Sequence, residues 1–149
     1  MSGVSFDGVT FQDCDWTKKS FQQCSFIHTK FLNCILEDTE YPDSNLSNIV
    51  FQGSRLNRAD FRKATRLDYV TFIDCQLSNA NFSRVTLSNV VFQNCDLERS
   101  CFHDAILYEV SFQEGKLIEI NFSQATLSGT DLTPVSVSCD MRHIKYLPN

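Results

Sequence analysis

The sequence has little of what most catalytic and ligand-binding sites are built from. Its 149 residues contain only five glycines and three prolines, scattered singly, so neither a glycine-rich phosphate loop nor a proline-rich linker is present. No apolar run approaches the length that spans a bilayer, and the first residues are too few and too polar for a secretory signal. Histidine occurs only at His28, His103 and His143. Positive charge is in deficit, with 13 Lys and Arg against 18 Asp and Glu and a net charge of −5. That balance argues against direct binding of nucleic acid, which selects a basic surface. Cysteine runs the other way. Seven residues is an odd number for a secreted disulfide framework, and reduced thiols in a cytoplasmic protein are expected instead. The length suits one domain.

What fills the chain is a five-residue beat. Large apolar residues stand at Phe6, Phe11, Trp16, Phe21, Phe26, Phe31, Leu36, Tyr41, Leu46, Phe51, Leu56 and Phe61, then from Leu67 to Leu132 in the same rhythm. A helix turns about 100° per residue, so a period of five drifts off one face. A flat strand would point every second large residue outward. The period is satisfied only if the chain turns a corner once per repeat. The large residue, here called the centre, and the residue two before it then face inward. Those second positions are small or β-branched: Val4, Cys14, Cys34, Ala59, Cys75, Ala80, Val90, Cys95 and Ala125. The residue between is polar, and Asn, Asp, Gly and Ser gather at the corners, as turn formers do.

The number of sides follows from two observations. From Leu67 to Leu127 the centres alternate Leu and Phe, so four sides stack like on like. Cys14 and Cys34, and again Cys75 and Cys95, are twenty residues apart. A coil is therefore about twenty residues on four sides. The chain makes just under seven coils, about 30–35 Å long at strand spacing. The beat breaks between Phe61 and Leu67, where one extra residue reads as a bulge. It is also expected to end after residue 133. Val135 and Val137 can still stack, but Cys139 to Leu147 shows no evident beat. Two regions are therefore expected: a solenoid over 1–133, and a segment over 134–149 that either caps the rod or pairs two rods through an end. At the other end Lys19 takes an inward position, where its charge discourages edge-to-edge stacking.

Stretches such as Ala59-Asp60-Phe61, Ala80-Asn81-Phe82 and Cys95-Asp96-Leu97 resemble the pentapeptide-repeat family, and the resemblance runs from residue 4 to about 133. It implies an all-β fold, a right-handed quadrilateral parallel β-helix. The family includes quinolone-resistance proteins that bind DNA gyrase, in some of which C-terminal segments dimerise. The resemblance thus implies a non-enzymatic protein-binding solenoid, with a DNA-mimicking binder of gyrase or another topoisomerase as one alternative and a secreted bacterial effector as another.

The candidate sites are few. Cys14, Cys34, Cys75 and Cys95 form a column, but parallel inward side chains do not converge tetrahedrally as zinc requires, so they read as small core filler. No metal or cofactor is expected. Cys101 and Cys139 are the thiols expected to be exposed. The histidines fall on different sides and a filled rod offers no pocket, so no catalytic residue is assigned. Arg55, Arg58, Arg62, Lys63 and Arg66 surround the bulge, either as an anion or partner site or as a solvated patch spread over several sides and partly paired with Asp60 and Asp68. Sides one and two carry few charges, mostly negative, and place Ile27, Leu32, Tyr69, Ile73, Ile106 and Tyr108 outward. Charge-poor surface with Tyr and aliphatic groups is the composition of an interface core, and these six are the candidate contacts for a protein partner. Gln12, Gln52, Gln93 and Gln113 share one corner position and are expected to form an amide ladder.

Overall fold

The computed structural model describes residues 1–136 and 138–148; Val137, expected to continue the stack, and Asn149 lie outside the described residues. The described chain has no helix, and every strand pairing and bridge within it is parallel. Successive coils lie twenty residues apart, as in Phe11↔Phe31 and Phe31↔Phe51. Side two is a six-stranded sheet of Thr10–Gln12, Lys30–Leu32, Val50–Gln52, Thr71–Ile73, Val91–Asp96 and Ser111–Lys116. Side one is a second sheet of Leu67–Asp68, Thr86–Ser88, Ile106–Tyr108, Thr126–Ser128 and Lys145–Tyr146. Sides three and four are joined by single bridges such as Arg55↔Gln76 and Asn81↔Cys101.

The core is a filled square. On side two the rings of Phe31, Phe51, Phe72 and Phe92 stack at 4.9–5.0 Å. On the opposite wall Tyr41, Phe61, Phe82 and Phe102 stack at 4.7–5.1 Å. The two aromatic walls meet edge to face, Phe82 against Phe92 at 5.7 Å and 83°. Both geometries suit the ring quadrupole. Leucines fill the other walls, and Leu56, Leu77, Leu87 and Leu97 are fully buried.

Corners turn by one device. The second residue after every centre from Phe6 to Leu127, Phe61 excepted, takes a left-handed backbone conformation, whether Asn or Asp (Asn33, Asp74, Asn89), Gly (Gly8, Gly53) or a bulkier residue such as Tyr69 or Arg99. At the bulge Lys63 does not take it. The turn there is still closed by the Ala64 N–H donating to the Phe61 carbonyl at 3.1 Å, and the pairing steps from Glu40↔Asp60 to Asn45↔Arg66, from twenty residues to twenty-one.

The segment after residue 133 corrects an expectation. It does not lose the beat. Asp140 bridges Asn121, and Lys145 and Tyr146 pair with Thr126 and Leu127, nineteen residues apart rather than twenty. Cys139-Asp140-Met141 and Ile144-Lys145-Tyr146 repeat the small–polar–large order, and Cys139 is buried beneath Ile120. One residue has been lost before Cys139, so counting in fives from Leu132 misses the centres by one. In the first coil Phe6, Phe11 and Trp16 are only partly buried, and Lys19 at its inward position is exposed.

Candidate interaction surface

The inward cysteines belong to the structure of the corners. Some corners close with their own hydrogen bond, as where the Ala80 N–H donates to the Leu77 carbonyl at 3.0 Å. Others are closed by a hydroxyl or thiol from the next coil. Ser54 Oγ accepts from the Cys34 N–H at 3.0 Å and donates to the Phe31 carbonyl at 3.3 Å. Ser44 does the same between Cys24 and Phe21, and Thr130 between Val110 and Leu107. Cys139 Sγ does so between Ile120 and Leu117. Cys34, Cys75 and Cys95 donate to the carbonyls of Phe11, Phe51 and Phe72. Ser54 therefore shares the column's role, and the filler reading is corrected: the small polar group satisfies buried backbone. Burial pushes the thiols of Cys34 and Cys139 upward. The neighbouring Cys95 thiol, together with burial, does the same to Cys75. Cys139, expected exposed, is buried, and Cys101 is half-buried.

A histidine contact had escaped the sequence reading. His103 Nδ1 lies 2.8 Å from Ser123 Oγ. The twenty-residue step from 103 to 123 was the signal. Ser123 Oγ also lies 2.7 Å from Asn121 Oδ1, to which it donates. Its proton is thus directed away from the imidazole, and the arrangement does not activate a nucleophile.

Each of the four bulge arginines is paired with a carboxylate. Arg55 pairs with Glu37 at 2.5 Å, and Arg58 grips Asp38 through two bonds of 2.7 and 2.9 Å. Arg62 pairs with Asp60 and Arg66 with Asp68. The five side chains are spread from side three round to side one, and only Lys63 has no ion pair among the described residues. A cleft of about 110 Å³ beside the bulge is lined by Glu40, Tyr41, Pro42, Asp60, Arg62 and Lys63, and so is itself charge-balanced. Sides three and four are zipped in this way along their length, with Arg99 to Glu119, Lys116 to Glu98 and Arg142 to Asp140.

Sides one and two differ. Seven carboxylates (Asp7, Asp13, Asp68, Asp74, Glu109, Glu114 and Asp131) face Lys30, Arg66 and Lys145, so −4 of the net −5 lies on half the circumference. Arg66–Asp68 is the one ion pair there among the described residues.

The six apolar candidates separate into two corners. Leu32 and Ile73 are half-buried between sides two and three, in the column Gln12, Leu32, Gln52, Ile73, Gln93 and Gln113. They split the glutamines, and Gln113 turns its amide to Ser111 Oγ, so the expected amide ladder is not formed. Ile27 is half-buried near the first coil. Tyr69, Ile106 and Tyr108 share the corner and face of side one, at 60%, 45% and 48% exposure. Among the described residues, all other exposed large hydrophobics belong to the first coil (Met1, Val4, Val9) or the last (Met141, Tyr146, Leu147).

Four stacked walls, parallel pairing at a twenty-residue step and a left-handed corner residue define a quadrilateral parallel β-solenoid of about seven coils. The family model for the pentapeptide repeat region matches residues 2–61 and 65–145, breaking only at the bulge. The chain belongs to the pentapeptide-repeat family. It is similar in fold to HetL from the cyanobacterium Nostoc, a pentapeptide-repeat protein involved in the regulation of heterocyst differentiation, with a TM-score of 0.57 at 16% identity over 97% of this chain and 88% of that one. A trypsin-treated QnrB1, a plasmid-mediated fluoroquinolone-resistance protein, matches over 98% of this chain and 91% of that one, with a TM-score of 0.46 at 16% identity. No curated protein matches the sequence.

Proposed function

We propose that this protein is a rigid, non-catalytic binding rod that engages another protein through the corner between sides one and two. One observation carries the reading: away from the first and last coils, the exposed large hydrophobics are Tyr69, Ile106 and Tyr108, which stand together on a face short of ion pairs. A solenoid whose walls are fixed by stacked rings loses little entropy on docking, so a few anchors suffice. The free state of all seven thiols supports placing the protein in a reducing cytoplasm. A topoisomerase is the partner the family resemblance suggests. Mimicry of DNA has weak support, because duplex DNA carries about one charge per 1.7 Å, roughly twenty over such a length, against a net −5 here.

A photo-crosslinking residue at position 108, with position 99 on side three as control, tests the face in cells. Discrete adducts from 108 alone support it, and equal adducts from both overturn it. Gyrase supercoiling with and without a quinolone then tests the particular partner. An effect lost on replacing Tyr69 and Tyr108 with Ser assigns topoisomerase to this corner, whereas an effect that survives excludes the corner as its binding face.

A further inference from the structure

Glu40 and Lys63 are opposite charges left over at the bulge. In four coils of side four the residue before the centre ties down the amide after it. Asp60 accepts from the Arg62 N–H at 2.9 Å, Asn81 from Ser83 at 3.0 Å, Asn121 from Ser123 at 2.9 Å and Asp140 from Arg142 at 3.1 Å. Glu40 stands in the same column, its backbone bridged to Asp60. The residue that it would tie down is Pro42, which has no N–H to give. The exposed Glu40 carboxylate therefore makes no hydrogen bond or ion pair among the described residues, while the neighbouring Asp60 takes Arg62. Lys63, the second residue after Phe61, stays out of the left-handed conformation of its equivalents. Its ammonium is also unpaired among the described residues. Both side chains line the cleft of about 110 Å³ beside Tyr41 and Pro42, yet they do not bridge it to each other.

Two opposite charges that face one cleft without meeting leave room for a ligand that carries both. Arg62 spends Nε and Nη2 on Asp60, which leaves its Nη1 for an acceptor. At about 30 Å³ for each water, the cleft holds the equivalent of roughly three or four waters, the size of a small amino acid and too little for a nucleotide. We propose that this cleft binds a small zwitterion, a free amino acid, with its ammonium on Glu40 and its carboxylate on Lys63 and the open edge of Arg62. Each end then makes charge-assisted bonds, whereas an ion of one sign would satisfy only one of the two side chains. A bulge is a common neighbour of a functional site. The cleft lies on the wall adjoining side one, so it is separate from the corner of Tyr69 and Tyr108.

The probes are glycine and L-alanine, titrated at constant ionic strength into the isotope-labelled chain and followed by NMR, with acetate, ethylamine and N-acetylglycine alongside. Saturable shifts are expected at Glu40, Tyr41, Arg62 and Lys63 at roughly millimolar amino acid, the range that so small a ligand reaches in an open cleft. The singly charged compounds should bind about tenfold more weakly or not at all. Glu40→Gln and Lys63→Gln should each weaken glycine binding about tenfold. Both should leave the melting temperature unchanged, since neither side chain has a partner to lose. Equal response to acetate or to ethylamine, shifts that do not saturate, or binding untouched by both variants overturns the zwitterion site. A melting temperature that falls with Glu40→Gln would make Glu40 part of the rod's own ion pairing and remove it from the site.

Discussion

Ser100 stands at an inward position of side four, between Ala80 and Ile120, and its hydroxyl is buried without a hydrogen-bond partner. Tyr41, equally buried, shows the contrast. Thr39 Oγ1 donates to its phenol at 3.2 Å, and burial pushes that phenol's ionisation upward. An orphaned buried hydroxyl costs its desolvation and returns nothing. Ser100→Ala is therefore expected to stabilise the rod by about 1 kcal/mol, and the column already holds alanine at Ala59 and Ala80. A urea midpoint that moves down would show that Ser100 has a partner the packing does not reveal.

At the scale of the corner, position matters more than residue type. Ser44, Ser54, Thr130 and Cys139 bridge an amide and a carbonyl of the preceding coil. Ser54→Ala should leave the Cys34 N–H unpaired in the core and cost about 1–3 kcal/mol. Ser54→Cys should recover most of that, because Cys34, Cys75 and Cys95 occupy the same column. Chemical denaturation of both variants checks this, and equal loss in both would return the thiols to the role of filler. The stacking was legible because a five-residue period permits one geometry, and Phe on Phe followed from the alternation after Leu67. The bridging was not legible, since it depends on which corners close their own hydrogen bond, and that is a backbone property. The last coil was hidden by one deleted residue before Cys139. The bulge at Phe61–Leu67 was visible because the residues on both sides of it keep strong centres.

For the whole rod, charge sign could be assigned to sides from the register, but pairing could not. Arg58 and Asp38 are twenty residues apart and meet only because coils stack. Exposure also depended on the corner: Ile73 and Tyr69 looked alike in sequence, yet one is half-buried and the other is not. Carboxylate contacts, some between coils and some within one corner, give the rod its response to acid. Hydrogen bonds from Ser25, Thr17 and Arg58 hold the carboxyls of Asp7, Asp15 and Asp38 below the usual 3.8. Arg142 takes Asp140 down to about 2. Because the folded values lie lower, the unfolded chain binds protons first as pH falls. This stability is fully present above about pH 5 and drains as pH falls through 3.8 towards 2. Loss of negative charge also leaves 13 Lys and Arg and three His to repel one another. Added salt screens that repulsion but cannot restore protonated carboxylates. Melting temperature should thus fall between pH 5 and pH 2, and salt at pH 2 should recover only part of the loss. Asp38→Asn should melt lower than the parent at pH 7 and lose less between pH 5 and pH 2. A melting temperature flat down to pH 2, or one fully restored by salt, would mean that these carboxylate contacts contribute nothing to holding the rod together.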